Sequence, residues 1–124
     1  MTRQLPTLPA DTVTERIARL NDRARIGFDR QAKIVMTRSL LSTLSPANDP
    51  RQNVMAQARI MRALRECTFT PSSPERDMAW FEIDGHKLML KIDCYDESMD
   101  FASPDPANAS VTVRVVTVML VSDY

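Results

Sequence analysis

Asp93, Asp96, Glu97, Asp100 and Asp105 form a dense row of carboxylates directly after the run HKLMLKI, and most of the chain's candidate chemistry lies there. Clustered acids can hold a divalent cation, pair a general acid with a general base, or offer a docking surface. A calcium loop needs ligands at alternate positions around a central glycine and a bidentate Glu at its end, and this spacing does not supply them. A two-metal centre wants further carboxylates or histidines from separate elements. His86 is the single histidine of the chain, which excludes any two-His zinc motif. The favoured expectation is that these acids are solvated and cap backbone N–H groups at a strand end and in a loop. Partner docking is the second reading, and metal binding or catalysis a remote third. No catalytic residue, metal or cofactor is expected.

Nucleophilic chemistry fares no better. Cys94 follows His86 by eight residues on one predicted strand, and at about 3.3 Å per residue that is far outside hydrogen-bonding reach. Cys67 is expected at a helix C-terminus, where the helix dipole disfavours a thiolate. Two glycines in the whole chain cannot build a phosphate-cradling loop, which needs several for close backbone approach. No serine sits in a nucleophile elbow.

Arginines give a stronger signal. The chain is neutral as a whole, yet residues 1–66 carry 12 Lys and Arg against 6 Asp and Glu, and residues 67–124 carry 4 against 10. Arg16, Arg19 and Arg23 fall together on one predicted helix, and Arg51, Arg59, Arg62 and Arg65 on another. Such stripes could grip nucleic-acid phosphates or an acidic protein. Whole-chain neutrality falls short of the usual basic footprint, so solvated helix faces, partly neutralised by Asp22, Glu66 and the acidic second half, are the favoured reading. Trp80 with Met89 makes a third surface, a patch for a protein partner or a second copy, unless helices cover it.

Several elements must position these residues. Thr12-Val-Thr-Glu15 is a capping-box pattern, and Val13, Ile17, Leu20, Ala24 and Phe28 then recur at helical spacing up to a fraying end at Gly27. Residues 32–37 predict a strand, and residues 38–45 either a helical turn or an apolar loop. Asp49-Pro50 supplies an N-cap and a proline at the first helical position, predicting a helix over 50–66 with Val54, Ala58, Met61 and Leu64 turned inward. Asp84-Gly85 is the dipeptide of a tight type I′ hairpin. That turn sets Ile83 opposite His86 and Trp80 opposite Met89. Ile83, Phe81, Leu88, Leu90 and Ile92 then share the core face, with Trp80, Met89, Lys91 and the Glu82–Lys87 pair on the other. The β-branched run VTVRVVTVMLVSDY favours a strand, although Asn108 or Ser110 could cap a helix there, and Val111, Val115, Val118 and Met119 keep helical spacing.

Composition bounds the rest. Of the 124 residues, 44% are hydrophobic and 26% charged, ordinary for a globular protein. One α+β domain over residues 11–124 is expected, behind a mobile leader of residues 1–10 with Pro6 and Pro9. No apolar run approaches the roughly 20 residues that span a bilayer, and no secretory h-region opens the chain. The two cysteines read as free thiols in a reducing compartment, hence a cytoplasmic location without membrane contact.

The strings IDGHKLMLKIDCYD and SPDPANASVTVRVVTVMLVSDY resemble a family of small bacterial proteins catalogued as a domain of unknown function. Members of that family carry FELDG, KIDYYD, GSPDPADP and RVLTIMLAEEY-like motifs, often on plasmids and other mobile elements. RIARLND at Arg16–Asp22 is similar to the family's opening helix. Cys94 stands where the family has an aromatic, Asn108 and Ser110 stand near its usual Asp-Pro, and Val121-Ser122 replaces an Ala-Glu pair. The resemblance brings no established activity. It implies a C-terminal helix from about residue 110, because LTIMLAEEY looks helical. The resulting expectation is a three-stranded antiparallel or mixed sheet with a central Asp-Gly hairpin, packed by two or three helices. Functionally, it is a small non-enzymatic accessory protein of a bacterial mobile element that acts through protein contacts, with counter-defence a candidate role and a homodimer left open. A nucleic-acid-binding module is the alternative, and a metal-dependent enzyme at the acids the remote one.

Overall fold

The computed structural model describes residues 11–124; the leader expected over residues 1–10 lies outside them. Helix α1 spans Val13–Arg25, started by Thr12, whose hydroxyl accepts the Glu15 N–H at 3.0 Å. Its inward side is Ile17, Ala18, Asn21 and Ala24. Val13 and Phe28, expected on that side, are exposed, because the helix ends before Phe28 and the buried stripe is narrower than the spacing implied.

Strand β1 is Lys33–Met36. The ambiguous segment after it is a helix, α2 (Arg38–Leu44), capped by Thr37, with Leu40 and Leu44 buried one turn apart. Helix α3 spans Pro50–Glu66, and the Asp49 carboxylate accepts the Gln52 N–H at 2.8 Å. Asp49→Ala should cost about 1 kcal/mol, the usual worth of such a cap, read as a lower denaturation midpoint at unchanged slope.

The inward side of α3 keeps the expected Leu64 and half-buried Met61 but differs in the first half of the helix. Ala56, Ile60 and Leu64 are buried, whereas Val54 is 64% exposed and Ala58 also faces solvent. Arg51, Val54, Ala58, Arg62 and Arg65 succeed one another at three- and four-residue steps, so the three arginines share that side and must reach water. The alternative stripe carries no charge and includes small Ala56, which lets the helix approach the sheet closely.

The sheet has four strands, where three were expected. β2 (Met78–Ile83), β3 (His86–Tyr95) and β4 (Val113–Leu120) join β1 in the order β1-β4-β3-β2, with β1 parallel to β4 and the other pairs antiparallel. Asp84 and Gly85, with φ of 53° and 80°, connect β2 to β3, and Ile83 lies opposite His86.

β4 corrects the C-terminal helix that the resemblance implied. Only short 3-10 turns, Ala109–Val111 and Val121–Asp123, flank it. The reason is its place: lying between two strands, it pairs along both edges, Ile34 with Val116 on one side and Leu90 with Val118 on the other. Its β-branched residues fit that pleated surface, and Thr112, Arg114, Val116 and Val118 are buried with period two.

The core joins all three helices to one face of the sheet: Ala24, Leu40, Ile60 and Leu64 pack with Leu88, Leu90, Val116 and Val118. The opposite face carries Val35, Val115, Thr117, Met89 and Trp80 by the strand register, with no helix over it among the described residues.

Candidate functional site

The acids sit at the end of β3 and in the loop that follows. The Asp96 carboxylate accepts the Ser98 hydroxyl at 2.9 Å and the Asp100 and Phe101 N–H groups at 3.1 and 3.4 Å. Asp105 accepts the Ala107 N–H at 3.3 Å, and Asp93 pairs with Lys91 at 3.2 Å. Glu97 and Asp100 are exposed. Among the described residues no three His, Cys, Asp or Glu side chains are grouped so that they could hold a metal.

Burial works to raise the Asp96 pKa, but the Ser98 hydroxyl and the loop amides together outweigh it and hold the carboxyl below its ordinary value. Stabilisation from a lowered folded-state pKa is complete above the ordinary carboxylate range and is lost as pH falls through the folded-state value. Asp96→Ala should therefore show a constant drop in Tm above about pH 5 that shrinks towards zero on acidification below about pH 4, read by melting across pH.

The arginines divide into two groups. Arg19 pairs with Asp11 at 2.6 Å and reaches Glu15 at 3.9 Å, Arg59 pairs with Asp84 at 2.6 Å, and Arg62 with Glu66 at 3.0 Å. Arg16, Arg23, Arg51 and Arg65 make no ion pair among the described residues, and all four are exposed. α1 and α3 cover the same sheet face, so both stripes belong to one outward layer. Arg25 ties the ends of these helices: its guanidinium donates to the Leu64 carbonyl at 2.6 Å and lies 5.1 Å from the Phe69 ring centre.

Trp80 and Met89 lie opposite each other on the helix-free face but in different surroundings. Trp80 is 55% exposed and Met89 only 1%. Met89 is thus floor rather than surface, flanked by Trp80 on one strand and Met119 on the other. The turn Val121–Asp123 touches β3, and Val121 shares a groove of about 320 Å³ with Trp80, Phe81, Glu82, Lys87 and Leu88. Val35, 45% exposed, extends the apolar surface to the far edge of the sheet.

Other chemistry is weak. Burial pushes both thiols, Cys67 and Cys94, above their ordinary pKa, so neither is poised as a nucleophile. A cleft of about 710 Å³ between α2 and α3 has Arg38 as its single titratable lining residue beside Ser42, Asn48, Asn53 and Gln57. Such a lining can hydrogen-bond a ligand but offers no acid–base pair.

Arg114 was not singled out from the sequence. It is 1% exposed; its Nε donates to Asn21 Oδ1 at 2.7 Å and its Nη2 to the Pro106 carbonyl. Asn21 in turn donates to the Glu75 carbonyl at 2.9 Å. The available signal was alternation: once residues 113–120 are a strand, Arg114 shares the side of Val116 and Val118 and must point into the core.

A family model described as Protein of unknown function (DUF3768) matches residues 52–123, more than half of the chain. The chain belongs to this family. No curated protein and no solved structure matches it. The DUF3768 match runs from the first turn of α3 through the hairpin and the acid loop to the turn after β4. Trp80, Arg114 and every carboxylate of the acid row lie within the DUF3768 residues; α1 with Arg16, Arg19 and Arg23, and β1 with Val35, precede them.

Proposed function

We propose that the chain is a non-enzymatic protein-interaction module that meets its partner across the helix-free face of the sheet. One observation carries this reading: the three helices share one side, so the other presents Trp80, Val35 and partly buried Val115 without a helix above them among the described residues. An exposed aromatic beside aliphatic residues is the usual anchor of a protein interface, where a few such side chains supply most of the binding energy. Lys91 and Asp93 on this face neutralise each other, which lowers the cost of covering it. The commitment of Asp96 and Asp105 to closing their own loop supports a role without catalysis. An accessory role on a mobile element, directed at a host protein, is the extension that the sequence resemblance suggests.

A photo-reactive amino acid at position 35, with a control at position 54 on the outer side of α3, tests this in cells. A discrete cross-linked protein from position 35 that disappears with Trp80→Asp supports the reading. Products from position 54 alone overturn it.

The outward arginines favour a second reading, binding of nucleic acid by α1 and α3. Binding to DNA and RNA across a salt series checks it, since phosphate contacts show first at low salt. Arg16→Glu with Arg23→Glu should then reduce both affinity and its salt dependence, and absence of binding at low salt ends this reading.

A further inference from the structure

We infer that the free edge of β2 pairs with β2 of a second copy of the chain, joining two sheets into one across a two-fold axis. This goes beyond the face reading, since the contact runs along a strand edge and the partner is a second copy. β2 is a terminal strand of the sheet. Because Ile83 faces His86 across a two-residue turn, residues 79, 81 and 83 direct their N–H and C=O groups to β3. The Ile92 N–H donating to the Asp77 carbonyl at 2.8 Å continues the same alternation. Residues 78, 80 and 82 therefore direct theirs away from the sheet. The Met78 N–H is taken by the Ser73 hydroxyl at 3.3 Å. The backbone groups of Trp80 and Glu82 have no partner among the described residues.

Strand edges are ordinarily protected by shortness, lysine, proline or a bulge. β1, the other edge, is four residues long and carries exposed Lys33. β2 is six residues long, MAWFEI, without lysine or proline, and its pairing to β3 runs unbroken from Met78 to Ile83. Its edge is open.

Symmetry then selects the register. In an antiparallel two-fold pair with Phe81 opposite Phe81 of the copy, Trp80 meets Glu82 of the copy and Glu82 meets Trp80, so every free group finds a partner. Centring on Trp80 instead would set Glu82 against Met78, whose N–H is already held.

Charge favours a second copy. The Arg59–Asp84 ion pair places that side of α3 beside the hairpin, and Arg62 and Glu66 follow on the same side. With Glu82 and Lys87, this edge carries three cations and three anions. The unpaired arginine layer and the acid loop would each repel their own image, whereas this edge does not. A two-fold pair also closes on itself and stops at two copies.

Sedimentation equilibrium of the full chain between about 1 and 500 μM tests the inference, with dissociation expected in the micromolar range that suits a small contact. Glu82→Pro removes one outward N–H without touching the β3 ladder, so dimerisation should vanish while circular dichroism and Tm stay put. Trp80→Glu sets acid against acid across the axis and should weaken the dimer at least about tenfold. Adding Glu82→Lys to that variant should restore it, a rescue specific to this register that also covers the case of a Pro variant that fails to fold. A monomer throughout the range, a dimer indifferent to both single variants, or no rescue overturns the inference. A monomeric chain that keeps its cross-link from position 35 overturns the pairing alone, and a dimer without that cross-link overturns the face reading alone.

Discussion

Arg114→Ala is expected to lower the stability of the fold by about 3–5 kcal/mol, the largest loss from any single polar substitution here. The side chain is 1% exposed and fills space beneath α1 with three methylenes and a guanidinium. Its removal leaves the Pro106 carbonyl without this donor and Asn21 Oδ1 with only the weak Cys94 thiol contact at 4.0 Å. A buried acceptor deprived of its strong donor costs about 1–3 kcal/mol, and the cavity adds to that. Arg114→Met separates the two contributions, since it keeps most of the volume but none of the donors; a loss of about 1–3 kcal/mol is expected. Urea denaturation of the three proteins measures both. Methionine as stable as arginine would show that the hydrogen bonds contribute nothing net. Arg114 makes no ion pair among the described residues, so neither loss should depend on ionic strength.

The second large effect lies on α3. Ile60→Ala should cost about 3–4 kcal/mol, because Ile60 is fully buried against the sheet and the site can collapse only in part. Val54→Ala, six residues earlier on the same helix and on another side of it, should change stability by less than about 0.5 kcal/mol. The pair measures which side of α3 faces the core, and comparable losses at both positions would contradict the packing. Denaturation midpoints at equal slope are sufficient.

That contrast shows where sequence reasoning held and where it failed. Helix limits were legible from chemistry local to the chain: Thr12 with Glu15, and Asp49 followed by Pro50, mark the starts of α1 and α3. Which side of α3 turns inward was not, because Val54 and Ile60 both belong to apolar stripes at helical spacing, and only the position of the sheet chooses between them. Residues 113–120 carried both periods. Strand propensity pointed to the correct state and the resemblance to the wrong one, and neighbours on both edges decided it. Missing that strand also hid Arg114, since a residue on a supposed helix surface gives no reason to look for Asn21. Among the candidate surfaces, the charges were easy to see and the partners were not. Arg59 and Asp84 are 25 positions apart in the chain yet 2.6 Å apart in space. Met89 is floor and Trp80 surface because of what flanks each, which the alternation they share cannot distinguish.

The parallel pairing of β1 with β4 has a consequence for how the protein comes into being. β1 touches no other strand, and β4 is the last of the four in chain order. While the ribosome is still making residues before Val113, Ile34 and Met36 have no ladder to join, and Arg114 has not yet appeared to meet Asn21. The early half has no complete sheet to pack on until β4 enters between β1 and β3, and long-range pairing of this sort is slow. A chain stopped before β4 would therefore leave β1 without its only ladder and split the sheet, rather than make a smaller version of the same fold.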